Sequence, residues 1–272
     1  MTDVSPAPFD VRLMNVTAAV LFAGCAAMLL AAAGLWALRN PAFALGGIVI
    51  DGKLTHNNAV TLRANVANRL EGSFFTVNLG AARAAFEAVP WIRHADVRRE
   101  FPNRLHVTLE EHVAVAFWGP ESGSAMVNTF GEVFEANVAD VDNDDLPRLS
   151  GPDGDAPEVL AMERALQPLF GAIEMSVTDL AMSGRGSWRV ILDDGPTVEL
   201  GGGSVAELMA RTERFTRTLT QVTAKYGRRP DALISADLRH ADGYAIKLNG
   251  VTTMTVEQAA ALARKNTVKA ID

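Results

Sequence analysis

Five histidines and one cysteine are the residues of this chain best suited to hold a metal or to move a proton near neutral pH. His56, His94, His106, His112 and His240 are scattered, with no two of them four apart, so the H-E-x-x-H pair of a zinc hydrolase is missing. Cys25 sits inside an apolar run, which leaves the rest of the chain without a thiol for a structural zinc site and rules out an intramolecular disulfide. No G-x-S-x-G nucleophile elbow occurs. Carboxylate pairs such as Glu110 and Glu111 are neighbours on a strand and point to opposite faces, so they cannot share a substrate.

Three further patterns imitate ligand sites. Gly47 to Lys53 follows the phosphate-loop pattern G-x-x-x-x-G-K, but Leu54 stands where a magnesium-binding hydroxyl is needed, and the residues between the glycines read as strand. Asp140, Asp142 and Asp144 alternate like the start of a calcium loop, yet Asp145 replaces its glycine and Gly151 its closing glutamate. Gly201-Gly202-Gly203-Ser204 resembles an anion cradle, but Ser204 and Glu207 have the spacing of a capping box that opens a helix. The expectation is a chain that is not an enzyme, with no cofactor, no metal and no small-molecule substrate.

What remains is a chain built to bind and to be held. Its organising stretch is Val89 to His112, read as the end of a helix, a strand, a turn at Phe101-Pro102-Asn103 and a second strand. On that second strand Leu105, Val107 and Leu109 share one face, while Arg104, His106, Thr108 and Glu110 share the other, the period of a sheet with one wet side.

The net charge is −7, and because Asp3, Asp10, Arg12 and Arg39 cancel, all of it lies in residues 41–272. A nucleic-acid binder needs a basic face, so none is expected as a partner. Leu13 to Leu38 carries no charge, and at about 1.5 Å per residue it reaches further than the ~30 Å hydrocarbon layer. It exceeds the roughly 7–15 residues of a signal-peptide core, so it reads as an uncleaved anchor with Trp36 near the interface. A long domain after a short tail usually translocates. Residues 1–12 are therefore expected to be a cytoplasmic tail, 13–39 a transmembrane helix, and 41–272 to lie across the membrane.

Two soluble domains follow. The first, 43–112, runs strand, helix, helix, strand, strand: Gly46–Ile50, a helix capped by Thr55 with Ala59, Leu62, Val66 and Leu70 in one stripe, a second helix capped by Asn78, then the hairpin. The second, 113–250, is read as strand-rich α+β. It opens with a strand Val113–Trp118, a hairpin around Gly131 and a solvated loop from Asn137 to Ala156. A helix from Pro157 to Ile173 follows, with Val159, Met162, Leu166, Leu169 and Ile173 on one face. Next come a hairpin turning at Asp194-Gly195 and a helix from Ser204 to Tyr226 bearing Leu208, Phe215, Leu219, Val222 and Tyr226. Strands Leu233–Leu238 and Gly243–Leu248 close the domain, and 251–272 is a tail with a helical piece at 256–265. A terminal strand is often an edge strand, open to a partner's backbone.

In this order the pieces resemble the bacterial FtsQ/DivIB family of cell-division proteins. The resemblance is carried by the anchor and Phe43 to Gly52, by Val89-Pro-Trp-Ile92 with Val97-Arg-Arg99, and by Pro102 to Leu105 with Glu110-Glu111. Val127-Asn128 with Gly131 and Phe134, Leu146 to Gly151, Ser187-Trp188, Asp237-Leu-Arg239 and Gly243 to Ile246 continue it over about residues 13–250. It implies a POTRA domain at 43–112, the family's β domain at 113–250, and a non-enzymatic scaffold in the cell inner membrane at the division septum. The implied partners are FtsB and FtsL on the β domain and other division proteins on the POTRA domain. The FtsB contact of the family is strand addition at the last strand near two arginines. That carries over to Arg185, Arg239, Gly243, Tyr244, Ala245, Ile246, Lys247 and Leu248. A POTRA protein of secretion or outer-membrane assembly is the alternative.

Overall fold

The computed structural model describes residues 9–39, 43–67, 70, 72–141, 146–193, 195–240 and 242–251. The expected tail before Phe9, the aspartates Asp142, Asp144 and Asp145, the turn residue Asp194, and the helical piece at 256–265 with its tail lie outside the described residues. The chain divides between His112 and Val113 into two compact units.

The first unit opens with α1 (Phe9–Arg39), which starts before the charge-free run and takes in Asp10 and Arg12. It is long and apolar enough to cross a bilayer once. Then follow β1 (Gly47–Asp51), α2 (Ala59–Ala67), α3 (Leu79–Glu87), β2 (Ile92–Glu100) and β3 (Arg104–Glu111). The sheet order is β1-β3-β2, with β1 parallel and β2 antiparallel to β3. Leu105, Val107 and Leu109 of β3 are buried with Ile48, Leu62, Val66 and Phe86, so the alternating face is the one the helices cover. Asn78 caps α3 by accepting from the Ala81 N–H at 3.1 Å. Thr55 does not cap α2. The helix begins at Ala59, with the Asn58 side chain accepting from the Val60 N–H, because the backbone of Thr55 to Asn57 is taken up by the carboxylate of Glu111. The hairpin turns at Phe101-Pro102-Asn103 as expected, and its Phe101–Pro102 bond is cis.

The second unit contains β4 (Ala114–Trp118), β5 (Ala125–Asn128), β6 (Val133–Glu135), β7 (Arg148–Ser150), α4 (Ala156–Gly171), β8 (Val177–Met182) and β9 (Trp188–Leu192). It continues through β10 (Thr197–Gly201), α5 (Val205–Lys225), β11 (Leu233–Asp237) and β12 (Ala245–Leu248). These strands form one sheet in the order β12-β11-β10-β9-β8-β7-β4-β5-β6. Two crossovers, β7-α4-β8 and β10-α5-β11, join parallel neighbours and step the same way along the sheet. Crossovers of one hand then place α4 and α5 on the same face. The core agrees, since Val159, Leu166 and Phe170 of α4 share one buried cluster with Leu208, Phe215 and Leu219 of α5.

The stripes expected for both helices shift slightly. In α4 the fully buried position is Phe170 rather than Leu169. In α5 Thr212, Thr216 and Thr223 complete the buried face, while Tyr226 is 56% exposed. The threonines are tolerated there because their hydroxyls donate back to the helix, Thr212 to the Leu208 carbonyl at 2.9 Å. Gly227, at φ 65°, ends α5 with the paired bonds of a Schellman motif: its N–H donates to Ala224 and that of Arg228 to Thr223.

The loop expected from Asn137 to Ala156 contains a strand. β7 lies inside it and joins the two halves of the sheet, with Leu149 opposite Trp118 on one side and Leu180 on the other. Leu149 is fully buried. Leu149→Ala is expected to lower the stability of this unit by about 2–5 kcal/mol in denaturant unfolding, since it opens a cavity at the seam of the sheet.

Candidate partner-binding edge

β12 is the edge strand of the larger sheet among the described residues, paired only with β11. The strand is shorter than expected, with Gly243 and Tyr244 preceding it. Its register sets Ala245 opposite Asp237, Ile246 opposite Ala236 and Lys247 opposite Ser235. The N–H of Leu238 donates to Glu199 on the β10 side, and that of Asn249 donates to Ala232 on the β11 side. Backbone groups alternate along a strand. Ala245 and Lys247 therefore direct their amides to β11, and Tyr244, Ile246 and Leu248 direct theirs outward. These outward N–H and C=O groups are what a partner strand would pair with.

The side chains of the same three residues stand on the core face of the sheet. Leu248 is buried, and Tyr244 and Ile246 pack against the cluster under α5. The ring of Tyr244 meets Phe215 edge-on at 5.1 Å, and its hydroxyl lies 2.6 Å from that of Thr218. Tyr244 thus serves as the strand's anchor rather than as a side chain offered to a partner. Ala245 and Lys247 are exposed on the opposite face of the sheet. Tyr244→Phe keeps the ring contact and is expected to lower stability by only about 1 kcal/mol, the net value of one hydrogen bond, measured by equilibrium unfolding.

Arg239 lies just past β11, at the same end of the sheet as the start of β12. Its guanidinium is already engaged. Nε and one terminal nitrogen donate to the two carboxylate oxygens of Asp237 at 2.9 and 2.6 Å, and its backbone N–H donates to Asp237 at 3.0 Å. Gly201, at φ 79°, makes room for this, since a Cβ there would stand 2.7 Å from the Arg239 side chain. The Arg239 side chain, helped by its backbone bond and positive charge, outweighs burial and holds Asp237 down to about 2. A depressed folded value means that the pair's contribution is whole above the ordinary aspartate range and is lost as pH falls toward 2. An arginine has five N–H donors, so this clamp orients the guanidinium and leaves donors for an acidic partner.

Arg185 stands in the exposed β8–β9 turn, a turn closed by Ser183, Gly186 and Ser187. Gly202, next along the chain from the Arg239-facing Gly201, approaches the Gly186 carbonyl, so the fold brings Arg185 and Arg239 to one end of the sheet. Arg211 of α5 completes that end by donating to the carbonyls of Leu200 and Gly202, both at 2.7 Å. The sequence reading did not single out Arg211 or Thr218. Their spacing on α5 carries no motif, although Asp237 and Arg239, two apart on an extended segment, are placed to meet on one face.

Two of the three patterns that imitate ligand sites are parts of regular structure. Gly47 to Asp51 is β1, and the glycines after β10 lead into the capping box of Ser204 and Glu207. Three histidines face carboxylates: His56 Glu111, His94 Glu87 and His106 Asp51. Among the described residues no three metal-ligating side chains gather.

A family model described as Cell division protein FtsQ/DivIB, C-terminal, matches residues 116–239, and one described as POTRA domain, FtsQ-type, matches 43–112. The Cell division protein FtsQ of Burkholderia pseudomallei (strain K96243) is 40% identical over 247 residues, 90% of this chain and 96% of that one. That of Thiomonas arsenitoxydans is 38% identical over 246 residues, covering 90% and 89%. That of Vibrio cholerae serotype O1 is 30% identical over 213 residues, covering 78% and 77%. The chain belongs to the FtsQ family of cell-division proteins. Residues 43–112, the first unit without α1, are accordingly a POTRA domain of the FtsQ type, and residues 116–239 of the second unit match the strand-rich FtsQ/DivIB domain. The match to the FtsQ/DivIB model stops at Arg239, so β12 lies just beyond it.

Proposed function

We propose that this chain is a non-enzymatic scaffold of the division machinery. It crosses the inner membrane once through α1, with its short N-terminal tail in the cytoplasm and both folded units in the periplasm at the septum. It binds the single-span division proteins FtsB and FtsL at the larger domain, taking a partner strand onto β12, and contacts other division proteins through the POTRA domain. The observation that carries this reading is that β12 is the edge of its sheet among the described residues, with the side chains of Tyr244, Ile246 and Leu248 packed on the core. A site of this kind offers directional hydrogen bonds rather than a pocket, which suits a partner in extended form. The guanidinium of Arg239, fixed by Asp237 at the head of the strand, supplies a charge for an acidic residue of that partner. Anchoring both proteins in one membrane raises their effective concentration, so a short strand suffices.

The test is capture from solubilised membranes of its own cells, with the wild-type chain beside Tyr244→Pro. Recovery of FtsB-like and FtsL-like single-span proteins with wild type alone is expected. Equal recovery by the folded variant contradicts the β12 site, and recovery of secretion or outer-membrane assembly factors contradicts the division scaffold.

A further inference from the structure

The POTRA domain carries exposed aromatic rings at one tip. Phe101 of the β2–β3 turn is 77% exposed and Phe75 is 46% exposed, although the domain has a well-filled core elsewhere. Three segments converge there. The ring of Phe75 lies 5.0 Å from Phe43 and 5.2 Å from Phe74, and Phe74 lies 6.3 Å from Phe101. The backbone ties the same segments together: Phe74 N–H donates to Phe43, and Gly46 N–H donates to Asn103. Arg99 fixes the Phe74–Phe75 segment by donating to the carbonyls of Phe74, Phe75 and Val77. Arg104 adds an exposed guanidinium beside the exposed Glu100.

The chain itself says what this tip faces. Phe43 follows Arg39, the last residue of α1, by only four positions, a reach of roughly 14 Å at full extension. With 31 residues α1 is ~46 Å long, about the full thickness of a bilayer with its headgroups. The tip is therefore tethered at the headgroup layer, where aromatic rings are favoured and arginine meets lipid phosphate. We propose that Phe75 and Phe101, with Arg104, dock the POTRA domain onto the lipid headgroups around its own anchor. The domain is then held at one tilt to the bilayer. The inference rests on α1 crossing the bilayer, and the experiment checks that separately.

The full chain is reconstituted into vesicles of phosphatidylethanolamine and phosphatidylglycerol and spin-labelled at one cysteine at a time. The sites are native Cys25 within α1 and, in a Cys25→Ala background, Glu100→Cys at the tip or Ala88→Cys at the C-cap of α3, ahead of β2. Collision rates with oxygen and with a water-soluble nickel chelate are compared. Cys25 reports whether α1 lies in lipid. The ratio of oxygen to nickel collisions is expected to be several-fold higher at position 100 than at 88, and F75S/F101S is expected to erase the difference while the domain stays folded. Equal ratios at 100 and 88 with Cys25 deep in lipid overturn the docking and leave the anchor standing. A Cys25 label accessible to nickel overturns the anchor and the docking with it. Spin–spin broadening between labels at position 100 assigns the tip to a second copy of the chain, which also overturns it.

Discussion

Ile246→Pro is expected to weaken capture of a partner strand on the order of 100-fold while the domain remains folded. The amide of Ile246 points away from β11, so proline removes no bond of the existing ladder. It removes instead the central donor of the open edge, leaves a partner carbonyl unpaired and sets its ring in the partner's path. Losing that bond costs about 1–3 kcal/mol, and each ~1.4 kcal/mol is tenfold in affinity. Ile246→Ala provides the comparison: it trims packing under α5 but retains the amide, so affinity should change little. Titration of a partner segment by calorimetry separates the two. Equal losses in both variants would mean that packing, not the backbone edge, governs binding.

Glu111→Ala is expected to lower the stability of the POTRA domain by about 3 kcal/mol. The Glu111 carboxylate, with its side chain only 6% exposed, receives the backbone N–H groups of Thr55, His56 and Asn57 at 2.6, 3.1 and 3.0 Å and the Asn57 side chain at 2.9 Å. It pins the connection between β1 and α2 to the end of β3. The connection is held from above as well, since the His56 ring stacks on Trp91 at 3.8 Å. Truncation strands the part-buried amides of His56 and Asn57 at once, with the more exposed one of Thr55, and a donor left without a partner costs about 1–3 kcal/mol where water does not reach it. For a domain of this size about 3 kcal/mol is a fall of roughly 12–24 °C in melting temperature. Calorimetry of the detergent-solubilised chain should show one transition moved and that of the larger unit in place.

The same contacts set a pH dependence. Burial pushes the Glu111 carboxyl up, but the bonds from Thr55, Asn57 and His56 outweigh it and hold the group below its ordinary value. Its stabilisation is whole above the ordinary glutamate range and fades as pH falls through the depressed value. Glu111→Ala should therefore differ most from wild type near neutral pH and converge with it in acid.

Much of this was legible because local chemistry and tertiary demand agree. The face of Leu105, Val107 and Leu109, the Asn78 cap and the capping box of Ser204 and Glu207 each follow from one short stretch. Thr55 misleads because it has the chemistry of a cap, while a carboxylate far along the chain claims its amide. β7 is hidden by its brevity, with Pro147 before it and Gly151-Pro152 after it. β8 is hidden by a bulge between Val177 and Asp179, which breaks the period-two pattern and leaves Val177 and Leu180 as its buried residues. At the candidate site the edge strand was readable, and the pairing of Asp237 with Arg239 follows from their spacing of two on an extended segment. The inward turn of Tyr244 was not readable, because it depends on which way a strand faces within its sheet.

The most direct test of the edge is residue-resolved amide exchange over 244–248, free and with a saturating partner segment. In the free chain the amides of Ala245 and Lys247 should be protected by β11, while those of Tyr244, Ile246 and Leu248 exchange rapidly. Binding should slow those three. Slow exchange at Ile246 in the free chain, or binding that leaves all three unprotected, would contradict the account.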